Sequence, residues 1–266
     1  MPAHAGQAGK TRDPYRILVS EFMLQQTQVE RVIHFYKKFL RTFPSVEALA
    51  RAPFRTVLSH WQGLGYNRRA KCLHAAAKRI DAEFGGTVPH SVDALKSLSG
   101  VGPYTARAVA AFAFNAPEVF IETNIRTVFL HHCYASLLPA CAGRQKARMR
   151  KVTDAELLPL VKKALKKSKM PPREFYAALM DYGARLKHSG LRLNAKSTHY
   201  VKQSRFEGSA RQLRGAIVRE LLKGPVTLSL LTKHLSPKSG GEVKLQAEQL
   251  VREGLLKQIG RRFALA

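Results

Sequence analysis

The sequence predicts an all-α body followed by a small α+β module. Three observations carry this. Apolar residues recur at three- and four-residue spacing in most segments before residue 200, the pattern of a helix with one buried face. No run in that stretch alternates apolar and polar residues as a half-buried strand would. After Phe206, three helical segments are followed by "LLKQIGRRFALA", which reads as a hairpin turning at Gly260. Three helices and a hairpin make a winged helix.

The elements follow in order. Residues 1–12, "MPAHAGQAGKTR", read as a disordered N-terminus. Residues 14–43 read as helical throughout. "PSVEALARAPFRTVLSHWQGLG" gives two short helices, punctuated by Pro44, Pro53, Gly63 and Gly65. "NRRAKCLHAAAKRIDAEFGG" is another, closed by Gly85 and Gly86. "SVDALKSL" and "YTARAVAAFAF" are two helices joined by "SGVGP". In "VFIETNIRTV" an apolar stretch stops at Glu122 and a helix starts. Residues 185–205 carry six Lys/Arg and no acid, lack apolar periodicity and read as a basic connector or loop. The divisions expected are therefore a helical domain at 13–187, a basic linker at 188–205 and a winged helix at 206–266. The last helix, "EVKLQAEQLVREG", is not strongly basic, which suits a protein surface better than a groove of nucleic acid.

Charge narrows the partner. Lysine and arginine number 45 against 18 acids, a net charge of +27, in a chain of ordinary 45% hydrophobic content. Such an excess suits a polyanion such as nucleic acid. Cys72, Cys133 and Cys141 are odd in number and widely spaced, which fits a reducing cytosol rather than a disulfide framework. No apolar run approaches the ~20 residues of a membrane helix, and the N-terminus lacks the apolar core of a secretion signal. In "LSGVGPY" two glycines join two helices. Backbone N–H groups at such a turn can cradle a phosphate without reading sequence. The plainer reading is a tight αα corner.

Four segments then carry a resemblance: "RDPYRILVSEFMLQQTQVERV", "WQGLGYNRRAKCLHAAA", "LKSLSGVGPYTARAVAAFAF" and "MDYGARLK". In order and spacing over residues 12–187 the chain resembles the helix-hairpin-helix (HhH-GPD) base-excision glycosylases, most of all the MutY adenine glycosylases, with endonuclease III more distant. The resemblance implies a two-lobed all-α fold. It also implies double-stranded DNA with a mismatched base as the partner, and a flipped nucleotide whose N-glycosidic bond is cut. Leu98, Gly100, Val101, Gly102 and Thr105 are then the DNA-contacting hairpin, and Gln26 and Tyr66 the residues that wedge into the duplex.

The chemistry needs an acid that protonates the leaving base and a carboxylate that steadies the cationic sugar. Glu21, in the apolar setting "ILVSEFML", matches the family's acid. Glu122 matches its second carboxylate, normally an aspartate. It also reads as an ordinary acid at a helix start. The extra methylene leaves open a re-spaced site, a weak enzyme or an inactive homologue. Asn124 matches an asparagine that helps hold the site. Tyr104 stands where bifunctional relatives carry a Schiff-base lysine, so the resemblance implies hydrolysis without AP-lyase activity.

The four-cysteine loop that follows "MDYGA" in the family has no cysteine here, so no iron–sulfur cluster and no metal site is expected. A winged helix stands where MutY carries a Nudix-like domain, and the family's helix before "RDPY" is missing, which suggests a truncated start. The leading expectation is a monomeric, cluster-free enzyme of a bacterial cytoplasm and nucleoid that removes adenine opposite G or 8-oxoguanine. The alternatives are a thymine or uracil mismatch glycosylase and a DNA-binding protein without activity.

Overall fold

The computed structural model describes residues 11–133, 151–201, 205–235 and 239–266. The disorder expected for residues 1–10 lies outside them, as does Cys141. The chain forms two compact units. Unit 1 comprises Met1–Glu21, Pro89–Ser97 and Val101–Lys202; unit 2 comprises Phe22–Val88, Leu98–Gly100 and Gln203–Ala266.

The first helix, α1 (Pro14–Leu24), starts at Asp13, whose Oδ1 accepts the N–H groups of Tyr15 and Arg16 at 2.9 and 3.2 Å. A short polar side chain there satisfies N–H groups that the helix cannot. The helix expected to run on to residue 43 is interrupted. It stops at Leu24 and α2 (Val29–Thr42) begins afresh, because Gln26 takes a left-handed φ of 56°. A residue in that region cannot continue a right-handed helix.

Unit 2 continues with α3 (Val46–Arg51), α4 (Phe54–Trp61) and α5 (Arg68–Phe84). Its core gathers Phe39, Leu49, Leu58, Trp61, Leu73 and Ile80. The C-terminal segment of the same unit is the expected winged helix. Helix α11 (Ala210–Lys223) is followed by β1 (Val226–Thr227), α12 (Leu228–His234), α13 (Gly240–Arg252), β2 (Leu256–Ile259) and β3 (Arg262–Leu265). Ser209, Thr227 and Ser239 cap the three helices through their hydroxyls. The strands pair antiparallel in the order β1-β3-β2, with Ile259 opposite Arg262 across the turn at Gly260, φ 56°. Leu213, Ile217, Leu231, Val243, Leu250 and Phe263 fill the space beneath.

Unit 1 contains α6 (Val92–Ser97), α7 (Pro103–Phe114), α8 (Thr123–Cys133), α9 (Asp154–Ser168) and α10 (Pro172–His188). Helix α9 opens on a capping box: Thr153 and Glu156 each satisfy the other's backbone N–H. The basic stretch 185–205 is less irregular than expected. Its first four residues are the last turn of α10, Leu193–Lys196 form a 3₁₀ turn, and Ser197 bridges to Val152. The carbonyls of α10 continue to find N–H partners there, as Ser189 N–H bonds Arg185 O at 3.0 Å.

Helices α8 and α10 pack closely, and Gly183 makes this possible. A Cβ at that position would lie 2.2 Å from the carbonyl oxygen of Asn124 and 2.6 Å from its carbonyl carbon. Backbone cannot yield as a flexible side chain can, so Gly183→Ala must push the two helices apart. We expect a loss of about 1–3 kcal/mol, the range for overpacking, measured as a lower urea midpoint at unchanged slope. A midpoint equal to the wild type would refute this account of the contact.

Candidate active site

The acid expected at Glu21 is buried, only 4% exposed, on a helix that also buries Ile17, Leu18 and Val19. Its carboxyl is pushed up to about 7: burial deprives the anion of water, the neighbouring charge of Glu122 adds to this, and a hydrogen bond with the Tyr104 side chain opposes both. Tyr104, on α7, is held neutral by the same causes: burial first, then the charges of Glu21 and Glu122. Its ring packs edge-on to Phe120, centroids 5.7 Å apart.

Glu122 has two roles in the geometry of the site. It caps α8, where its Oε1 accepts the N–H groups of Asn124 and Ile125 at 2.6 and 2.8 Å. It is also placed to interact with Glu21. Burial raises its carboxyl as well, but the Ile125 N–H, the charge of Lys187, the Asn124 N–H and the charge of Arg126 all pull it back. The two carboxyls thus have unlike surroundings: Glu21 meets apolar helix and a phenol, Glu122 meets N–H dipoles and cations. Both carboxyls are raised, and these surroundings favour the proton on Glu21. Asn124 contributes through its side chain, where Oδ1 accepts from Lys187 Nζ at 2.6 Å.

Gln26 and Tyr66 lie in unit 2, and both are non-glycine residues at positive φ, 56° and 48°. Such conformations persist only where the surroundings enforce them. Arg69 does so here. Its guanidinium donates to the carbonyls of Phe22, Met23 and Gln25 at 3.0, 2.8 and 2.5 Å, to those of Leu64 and Gly65, and to Thr27 Oγ1. It also lies 5.5 and 5.4 Å from the ring centroids of Trp61 and Tyr66. Arg211, from the winged helix, donates to the Tyr66 hydroxyl at 2.9 Å. Gln26, Tyr66, Arg68 and Arg211 line a cavity of about 510 Å³ within this unit, together with Ser99 and Gly100.

The hairpin residues divide. Gly100, at φ 76°, passes so close to Cys72 that a Cβ would stand 2.5 Å from the Cys72 Cβ. Gly102 is exposed and precedes Pro103, the first residue of α7. Leu98, Val101 and Thr105 are buried, so a phosphate could meet them only through backbone. The structure therefore gathers Glu21, Tyr104, Glu122 and Asn124 in unit 1, and Gln26, Tyr66 and Gly100 in unit 2.

Sequence reasoning missed Lys187, Arg69, Gly183 and Arg211. Lys187 sits in the last turn of α10, where a cation is ordinary. Arg69 is one of a pair in "NRRAK", and nothing local marks which one turns inward.

Glu21 makes stability depend on pH. An acid raised by folding favours the folded state most where it is protonated. That advantage is complete below about 4.5 and is lost as pH rises through about 7. Glu21→Gln keeps the neutral shape and should abolish the loss, about 3 kcal/mol. In melts from pH 4.5 to 8.5, the variant should gain on the wild type up to about pH 7 and level off above it. A constant difference across that range would contradict the burial of this carboxyl.

The chain is similar to known proteins. A family model described as HhH-GPD superfamily base excision DNA repair protein matches residues 19–149. The chain is 35% identical over 271 residues to the adenine DNA glycosylase of Mycolicibacterium smegmatis, spanning 95% of this chain and 87% of that protein. It is 40% identical over 173 residues to that of Mycobacterium tuberculosis, 64% of this chain and 53% of the relative. A thymine-DNA glycosylase of Aeropyrum pernix is 32% identical over 66% of this chain and 75% of its own. The solved structure of a thermostable thymine-DNA glycosylase superposes with a TM-score of 0.55 at 25% identity, over 73% of this chain and 87% of that one. With a relative matched over most of both lengths, the chain belongs to the HhH-GPD superfamily of base-excision DNA repair proteins and is a DNA glycosylase.

Proposed function

We propose that this glycosylase hydrolyses the N-glycosidic bond of adenine mispaired with G or 8-oxoguanine. It acts as a monomer on double-stranded DNA, in the cytoplasm and nucleoid of a bacterium, without AP-lyase activity and without an iron–sulfur cluster. The observation that carries the chemistry is the unlike environment of Glu21 and Glu122. Glu21, protonated near neutrality, gives its proton to a ring nitrogen of the adenine, so the base leaves neutral as the C1′–N bond breaks. The sugar becomes an oxocarbenium ion, and the Glu122 carboxylate offsets its charge. Water adds at C1′ and its proton returns to a carboxylate. Tyr104 holds Glu21 and has no amine with which to form a Schiff base.

The cluster-free reading rests on the donor set. The last residue of α10 and the segment after it carry His188 and His199 but no thiol, and the chain has no cysteine beyond Cys141. Such clusters are held by thiolates, so these residues do not fit one. Among the described residues no helix is long and apolar enough to cross a membrane, and the net charge of +27 supports DNA as the partner. A second reading, thymine opposite guanine, is favoured by the thymine-DNA glycosylase relative.

Single-turnover base release from A:G, A:8-oxoguanine, T:G and U:G duplexes separates the two readings. Adenine release is expected, with Glu21→Gln slowing it by ~10²–10⁴. Glu122→Asp withdraws the carboxylate by about an ångström and should slow it by up to ~10². Release of thymine alone would favour the second reading. Tight binding with no release from any duplex would overturn both.

A further inference from the structure

We propose that Lys187 is the positioning residue of the second carboxylate: through Asn124 and by its own charge, it holds Glu122 as an anion oriented for the sugar. The inference rests on the glycosidase chemistry above and names a residue on which that chemistry depends.

The geometry runs through two helices. Lys187 projects from the last turn of α10, and its Nζ donates to Asn124 Oδ1 at 2.6 Å. The N–H of Asn124 in turn donates to Glu122 Oε1 at 2.6 Å. A single residue therefore holds the ammonium on its side chain and the carboxylate on its backbone. Gly183, one turn before Lys187 on α10, lets the helix come close enough for this reach, its Cα standing against the Asn124 carbonyl.

The charges around Glu122 make Lys187 the one that matters. From α1 it meets the Glu21 carboxyl, from α7 the Tyr104 phenol, from α8 Arg126 and from α10 Lys187. Arg126 is engaged elsewhere: its Nε and Nη2 both bond the Asp154 carboxylate of α9 at 2.7 Å. That pair is two-pronged, so much of the arginine's field is offset before it reaches Glu122. Lys187 donates to a neutral amide oxygen, which leaves its charge to act. Consistently, the charge of Lys187 lowers Glu122 more than that of Arg126 does. Burial draws the Lys187 ammonium down, Glu122 opposes that and Arg126 adds to it, so the ammonium stays below its ordinary value. Each ion is what makes the other tolerable there.

The plainer reading is that Lys187 merely ties α8 to α10. A tie would survive as a hydrogen bond and would not depend on the ionisation of Glu122. Lys187→Met, Lys187→Gln and Lys187→Arg separate the readings, assayed as single-turnover base release from pH 4.5 to 8.5, with duplex Kd measured alongside. The rate should climb with pH as Glu122 ionises and fall as Glu21 loses its proton. Removing the cation should move the climbing limb up by about one pH unit, so that release below it slows about tenfold. Lys187→Arg should restore the limb, Lys187→Gln should not, and Kd should stay within about threefold.

A second measurement needs no catalysis. The melting difference between wild type and Lys187→Met should grow with pH, and should become flat when Glu122→Gln is present in both. If base release fails altogether in the wild type but this coupling is found, the function is wrong and the Lys187 assignment stands. An unmoved acid limb, or a pH-dependent difference that persists with Glu122→Gln, overturns the assignment.

Discussion

Two neighbouring carboxyl groups, one buried and one half-buried, cannot both ionise cheaply, and the arrangement around them follows from that constraint. The chain assigns the proton by surroundings rather than by residue type, since both groups are glutamates. Glu21 is set on an apolar helix and given a phenol for company. Glu122 is set at the start of α8, where two backbone N–H groups point at it. The same N–H groups are helix-end donors that would otherwise need a partner. Capping the helix and stabilising the anion are therefore one interaction. The close approach of α8 and α10 at Gly183 then determines which side chains of α10 can reach it.

Unit 2 depends on a different buried charge. Arg69 is 8% exposed and its guanidinium is pushed down to about 10 by burial. A buried cation is tolerable when its N–H groups are aimed at acceptors; here Nη1 and Nη2 bond carbonyls of Phe22, Met23, Gln25, Leu64 and Gly65, while Nε has no hydrogen-bond partner among the described residues. Those carbonyls belong to the two turns that carry Gln26 and Tyr66. The arginine thus holds two left-handed residues whose backbone alone would relax. Arg211 reaches Tyr66 from the winged helix, which ties that module to the turn that carries Tyr66.

The sequence made the winged helix legible because its signals are local: three helical segments and a glycine at the hairpin turn, which takes φ 56° in the structure. The helices of the body were legible for the same reason, through periodicity. Glu21 was legible only through the surrounding motif, since a lone glutamate in an apolar run has many explanations. What escaped was whatever depends on contacts distant in sequence. The break after Leu24 carries no glycine or proline; it is imposed by Arg69, some forty residues on. Gly183 looks like a weak point within a helix until the Asn124 backbone is beside it. Lys187 looks like a lysine at a helix end, which it also is. The helical residues 185–188 were read as loop because their outer face is basic and local composition could not reveal the packing beneath.

The cap also bears on why a glutamate can stand where the family carries an aspartate. An aspartate at a helix start reaches the N–H groups two and three residues on without bending back. A glutamate needs its extra methylene folded to do so, and Glu122 does reach both, at 2.6 and 2.8 Å. The same two N–H groups therefore fix its Oε1. Reach alone would leave a longer, more flexible group less well aimed. Asn124, held to Lys187, sits on the first of those N–H groups. The longer acid and the cation behind its cap are best understood as one adjustment, in which an electrostatic tether offsets the freedom that the methylene introduces.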